Sequence, residues 1–248
     1  MSNSQFADDE IYLLEDAYNA LSVHFNSYEG FLAQYECISD NSTKIRFLQL
    51  ASIYENLVKD GNFSVRPGVL PKSNFNYYDL TYKYIALISI IEAVVGKDEW
   101  LNFFEWLSKT DVFPILNNIE LNKLYEQYNS DYGAIKSIVK FFEALTSDEQ
   151  EFLETKLIPL QFSEDKRAVS KGKFTITKLA QLLYDIRSQF LHSAKLVVAF
   201  DTVPAIVGNR KSDKSKSKPF SSNLSLNQLM YVFELGFIRH FGMQPEHE

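Results

Sequence analysis

Apolar side chains recur at Ile11, Leu14, Ala17, Tyr18, Leu21, Phe25, Tyr28, Phe31 and Leu32, at the three- and four-residue spacing of one helix face. That spacing predicts a first amphipathic helix over residues 9 to 37, broken near Gly30. Ile45, Leu48, Ile53 and Leu57 repeat the pattern over residues 43 to 59, and Gly61 terminates it. The stretch GNFSVRPGVLPKSN, residues 61 to 74, gathers Gly and Pro and predicts a loop and a boundary. Helical periodicity resumes over Tyr77 to Val95 and Asp98 to Leu107, then after Pro114 over 118 to 128 and 131 to 145. Ser147 and Gln150 have the spacing of a capping box, which predicts a helix from Asp148 to Leu157, limited by Pro159. Thr175 opens a long periodic segment reaching about Val198, and Ser225 with Gln228 offers a second capping box before a last helix to about Phe241. Strand alternation is weak and confined to Val197 to Val207, and no repeat of 20 to 50 residues is present. The expected fold is all-α: one helical bundle over residues 77 to 241, with the helices of residues 1 to 60 packed on it. In domain terms, residues 1–70 form an N-terminal helical extension and 71–248 the helical domain.

Composition sharpens this picture. Hydrophobic residues make up 46% of the 248-residue chain, enough to bury a sizeable core, while Gly 9 and Pro 7 are too few for a turn-rich sandwich or barrel. A formal net charge of -7 excludes a surface coated for non-specific nucleic-acid binding. Cys37 is the only cysteine, so neither an intrachain disulfide nor a cysteine-rich zinc site can form, which fits a reducing cytoplasm. The opening MSNSQFADDE lacks the basic and apolar regions of a signal peptide. The longest apolar run, Tyr84 to Gly96, contains Glu92 and falls short of the roughly 20 residues of a membrane span. The expectation is a cytoplasmic protein without membrane attachment.

Charge is uneven. Arg210, Lys211, Lys214, Lys216 and Lys218 oppose only Asp213 in the segment 208 to 223. Such a tract reads either as a solvated surface loop or as a loop that holds nucleic-acid phosphates. Phosphate-loop, dinucleotide-fingerprint, HExxH and GxSxG motifs are absent, so no cofactor and no metal is expected. Of the four histidines, His24 lies in an amphipathic segment, His247 in the tail and His240 near a helix end, where a cation suits the helix dipole.

The informative segment is LAQLLYDIRSQFLHSAKL, residues 179 to 196. Leu179, Leu182, Leu183, Ile186, Phe190, Ser193 and Val197 form one helical stripe that must face the core. Arg187 and His192 fall outside the stripe, on opposite edges of the outer face and about 140° apart. Tyr184, Ser188 and Leu191 lie between them. A face mixing these residue types suits a partner or substrate better than open water.

The string Tyr184-Asp185-Ile186-Arg187-Ser188-Gln189-Phe190-Leu191-His192 resembles the R-x4-6-H signature of the HEPN superfamily, and its YxxRSxxxH form resembles the Apea-like branch. The earlier segment ALISIIEAVVG is similar to the helix that carries the family's acidic residue, here Glu92. The resemblance spans about residues 77 to 241, with its specific part on these two helices. The chain departs from the family in having Ser193 where Gly often follows the motif histidine, and residues 1 to 70 match no family pattern. What the resemblance implies is a helical bundle that acts on RNA without metal, as many prokaryotic defence and toxin RNases do, and that dimerises through the 179–196 helix. An antitoxin or another defence-system component would be a further partner.

The residue types suit that chemistry. His192, with an ordinary pKa of about 6.5, can move a proton near neutral pH. Arg187 can hold the phosphate as negative charge builds, with no metal needed. Ser188, four residues before His192, can bond its ring or a phosphate oxygen. Glu92 reads equally as a site acid that orients Arg187 or His192 and as a buried acid with some basic partner, while Tyr184 reads as interface packing or site support. The expected function is therefore a metal-independent endoribonuclease working as a dimer with a composite Arg/His site. Two alternatives stand beside it: an inactive HEPN-like RNA-binding or protein-interaction module, and an unrelated helical adaptor. A bundle in which Glu92 and Arg187 do not lie side by side would favour the last.

Overall fold

The computed structural model describes residues 3–63, 75–96, 101–109, 118–162, 168–170, 172–193, 205–209 and 218–246. Helix α1, Asn3–Leu21, ends in a tight turn, Ser22–His24, and α2 follows over Tyr28–Glu36. The break thus precedes the expected one, and Gly30 lies inside α2; the chain turns where His24 is driven into the core and Ser27 supplies the next cap, its hydroxyl accepting from the Gly30 amide at 3.1 Å. Helix α3, Asn41–Tyr54, is capped by Asp40 and runs into a π-helical turn, Glu55–Lys59. Next come α4, Phe75–Val95, α5, Phe103–Ser108, α6, Asn118–Tyr132, and α7, Ala134–Glu143.

The cap of α8, Ser147–Lys156, lies one residue earlier than the spacing predicts. Thr146 accepts from the Glu149 amide, and the Glu149 carboxylate accepts from the Thr146 amide. Glu149 also pairs with Arg239, which fixes this register over the Ser147 and Gln150 alternative. Gln150 instead donates to the Glu143 and Leu145 carbonyls, at 3.1 and 2.9 Å. The second capping box, Ser225 with Gln228, forms as expected at the start of α10, Leu226–His240. That last helix closes on Gly242, whose φ of 79° suits a residue without Cβ; the Gly242 and Met243 amides bond back to the Arg239 and Ile238 carbonyls.

The bundle is helical in class, and it carries a small sheet that the sequence pattern does not predict. Strands β1, Leu157–Phe162, β2, Ala168–Ser170, β3, Ala205–Asn209, and β4, Lys218–Ser222, form a four-stranded antiparallel sheet in the order β2-β1-β4-β3. Pro159 does not merely limit α8. Residues 157–159 of β1 pair with β4 and residues 160–162 with β2, so the proline, which has no amide to donate, sits at the changeover. Of the weak alternation at Val197 to Val207, its end lies in β3 and residues 197–204 lie outside the described residues. Helix α9, Ile176–Ser193, packs against α7 and α4, which also pack on each other.

One continuous core runs from Ala17 to Met243, with Phe31, Phe47, Tyr54, Leu87, Ile91, Phe142, Leu183, Phe233 and Phe237 among its buried members. The N-terminal helices enter it directly: Phe47 stacks on Phe237 of α10 at 5.4 Å. A separate small cluster, Trp106, Leu107 and Leu124, joins α5 to α6. Among the described residues no helix is long and apolar enough to cross a membrane.

Candidate functional site

Helix α9 buries Leu179, Leu182, Leu183 and Ile186, as the stripe requires, with Phe190 half-buried. Ser193 closes the helix, and Val197 lies outside the described residues. Two contacts fix α9 against α4. The buried Tyr84 hydroxyl donates to the Leu183 carbonyl at 2.6 Å, and burial pushes its pKa well above the usual tyrosine value. About one and a half and two turns further along α4, Ser89 and Glu92 meet Arg187: its Nε donates to Ser89 Oγ at 3.2 Å, and its Nη1 lies 3.1 Å from Glu92 Oε2. Tyr184, one turn back on α9, lies with its ring centroid 5.9 Å from the Arg187 guanidinium carbon.

Arg187 is thus not displayed on the outer face. Its side chain is only 18% exposed and turns along the edge of α9 towards α4, because a carboxylate and a hydroxyl there satisfy donors that would otherwise need water. The guanidinium, Ser89, Glu92, Ala93, Gly96, Asp131, Tyr132 and Ser137 line a cleft of about 280 Å³. Glu92 Oε2 is buried and accepts no well-directed hydrogen bond from a described residue, despite its proximity to Arg187. Glu92, Asp131 and Arg187 are the charged side chains of its lining, and Arg46 donates to the carbonyls of Ala93 and Gly96 beside them.

His192 and Leu191 are exposed near the end of α9, while Ser188 is half-buried. His192 does not line the cleft. Five helical residues separate it from Arg187 by about 140° and about 7.5 Å along the axis. A single chain therefore brings together Glu92, Arg187, Ser89 and Tyr184 but leaves His192 apart. Lys218 opens β4 opposite Asn209, whereas Arg210, Lys211, Lys214 and Lys216 lie outside the described residues. Among the described residues no group of three or more His, Cys, Asp or Glu side chains could hold a metal ion.

Two polar clusters escape the sequence reading. His24 Nε2 lies 2.8 Å from Glu234 Oε2, the Tyr54 hydroxyl donates to Glu234 Oε1 at 2.6 Å, and Lys59 Nζ lies 3.8 Å away. Burial and the Glu234 charge push the Tyr54 pKa far above its ordinary value. The available signal is Glu234 within the apolar run LMYVFELGFI, the same signal that marks Glu92. Secondly, Arg46 donates to the Ala93 and Gly96 carbonyls at the end of α4, and desolvation lowers the pKa of His240 where it bonds the Val94 backbone. Nothing in the local sequence points to that second cluster.

Comparison with protein-family models, with curated proteins and with solved structures finds no match to this chain.

Proposed function

We propose that the protein is a metal-independent endoribonuclease of a defence or toxin-type system, active as a two-fold dimer joined along α9. The observation that carries this reading is the packing of α4 beside α9 with Glu92 and Arg187 paired at 3.1 Å. That is the arrangement implied by the resemblance of the two helices to HEPN proteins, and an unrelated adaptor gives no reason for it. In this mechanism the ribose 2'-hydroxyl attacks the adjacent phosphorus and the bond from phosphorus to the 5'-oxygen breaks, which leaves a 2',3'-cyclic phosphate and a 5'-hydroxyl. His192 takes the proton from the 2'-oxygen or delivers one to the 5'-oxygen, and water carries the complementary proton. Arg187, held by Glu92 and Ser89, stabilises the charge that grows on the phosphate oxygens. Because one chain leaves His192 on the far edge of α9, the catalytic pair forms between Arg187 of one protomer and His192 of the other, and Leu191 and Tyr184 pack in the joint. The lysines of residues 211 to 218 hold the RNA strand, and a neutralising or triggering protein is a further partner.

A second reading has one observation in its favour. Arg187 is already engaged by Glu92, and Asp131 adds a second carboxylate to the cleft; both oppose a phosphate, as they would in an RNA- or protein-binding module without activity. Incubation of purified protein with single-stranded RNA in EDTA separates the two. The enzymatic reading expects cleavage to cyclic or 3'-phosphate ends and a loss of about 100-fold to 10,000-fold in His192→Ala. Cleavage only with added divalent metal, or full activity in His192→Ala, overturns it.

A further inference from the structure

A group of aromatic rings lies beside Arg187, on the α4 side of α9 and away from His192. Phe190 follows Arg187 by three residues, about 60° round the helix and about 4.5 Å along it, whereas His192 lies about 140° round in the opposite sense. Phe190 meets Tyr82 of α4 edge to face, with ring centroids 5.8 Å apart and planes at 87°. On Tyr82 also rests Phe63, at 5.3 Å with the planes inclined by 35°. Phe63 is tied to α4: its amide donates to Asp79 Oδ1 at 2.8 Å, and Asp79 Oδ2 lies 3.6 Å from Lys83 Nζ. Phe63 and Phe190 are half-buried, yet Tyr82 remains 43% exposed. A ring braced by its neighbours and still open to water loses little freedom when a flat ligand settles on it.

We propose that Tyr82, braced by Phe63 and Phe190, is a stacking platform for an unpaired RNA base neighbouring the phosphate at Arg187, which makes single-stranded RNA the substrate class. Placement in the fold argues for this ligand. Tyr82 precedes Ser89 by seven residues, so the two share one face of α4 about 10.5 Å apart, and Ser89 accepts from Arg187. A strand whose phosphate is drawn to the guanidinium therefore runs within reach of the Tyr82 ring. Bases in a duplex rise by only about 3.4 Å per step and stay stacked on one another, whereas the bases of a drawn-out single strand can splay onto an aromatic side chain. The positive charge beside the rings complements a phosphate chain. The rings also lie off the outer face of α9, with Tyr184, Leu191 and His192, where the two protomers are proposed to join. Every base has a π-face, so the platform accepts all four and favours purines, whose two rings cover more of it. Tyr82 thus holds the strand and takes no part in proton transfer. The inference rests on the RNA reading above, which it deepens by naming the form of the substrate and the residue that holds it.

Fluorescence anisotropy of the full-length protein in EDTA, with a labelled 2'-O-methyl oligoadenylate of about eight nucleotides, tests the platform without cleavage, because that strand lacks the attacking 2'-hydroxyl. Tyr82→Ala is expected to weaken binding at least about fivefold, the lower end of what stacking one base contributes, while Tyr82→Phe, which keeps the ring, binds as the wild type does. The slope of affinity against salt should be unchanged in Tyr82→Ala, since no phosphate contact is lost. Wild-type protein should prefer oligoadenylate to oligouridylate and the single strand to its duplex, and Tyr82→Ala should narrow the first preference. If Tyr82→Ala disturbs the circular dichroism, Tyr82→Leu, which keeps apolar cover over Phe190 without a π-face, takes its place with the same expectation. Wild-type affinity in Tyr82→Ala, an equal loss in Tyr82→Phe, or dissociation of the dimer by Tyr82→Ala, which would mark a contact between protomers, overturns the platform. Binding through Tyr82 without cleavage of unmodified RNA would sink the catalytic reading alone, binding indifferent to Tyr82 would sink the platform alone, and wild-type protein that binds no strand would sink both.

Discussion

Glu234 is 4% exposed and meets His24, Tyr54 and Lys59. Removing it strands several buried polar groups at once. Glu234→Ala is expected to cost about 3–5 kcal/mol, read as a lowered urea midpoint, while Glu234→Gln, which keeps one acceptor, costs less. Glu55 has the opposite character. It is buried, its Oε2 has no hydrogen-bond partner among the described residues, and burial, with help from Asp60, Asp16 and Glu234 against Lys59, raises its pKa above the ordinary 4.5. A carboxyl whose folded pKa is raised weakens the fold as pH climbs through that value, and the cost vanishes below the unfolded value. Glu55→Gln should therefore raise the urea midpoint at neutral pH, with the gain shrinking as pH falls towards 4.5; a gain that is unchanged or larger in acid would contradict this. At this scale the sequence marks Arg187, His192 and Glu92 by type and spacing. It does not show that Arg187 turns inward, because that direction depends on Ser89 and Glu92, far away in the chain.

At the scale of elements, helix ends and close approaches set the register. The α8 cap illustrates the limit of local spacing: Thr146 with Glu149 and Ser147 with Gln150 both fit a capping box, and the distant Arg239 on Glu149 decides between them. Thr146→Ala should cost about 1 kcal/mol in chemical denaturation, whereas Ser147→Ala should change stability far less. Helix α10 approaches the end of α7 closely at Gly236, where an added Cβ would stand 2.7 Å from Leu145 Cδ2 and 2.8 Å from Phe141 Cζ. Gly236→Ala should destabilise by about 1–3 kcal/mol through overpacking; an unchanged midpoint would mean that Leu145 and Phe141 yield freely. The long amphipathic helices are legible because their burial repeats with the helical period. The sheet is not, since β2, β3 and β4 are short, Pro159 and Pro219 imitate breakers, and the pairs β1–β2 and β3–β4 are joined into one sheet only by the β1–β4 pairing, which is remote in sequence.

For the whole molecule, the proposed activity requires Arg187 and His192 to meet. Within one chain they diverge around α9, the first paired with Glu92 in a partly buried cleft and the second exposed. The shared core from Ala17 to Met243 places both on one framework, and the proposed dimer would join them through a second copy related by a two-fold axis. The most direct measurement is RNA cleavage in EDTA by Arg187→Ala protein, by His192→Ala protein, and by an equal mixture of the two after subunit exchange. Each variant alone should be nearly inactive. In a composite site every mixed dimer has one intact pair, Arg187 from one protomer and His192 from the other, so the mixture should recover about a quarter of wild-type activity. A mixture as inactive as its components, with subunit exchange verified by differently tagged chains, would contradict the composite site.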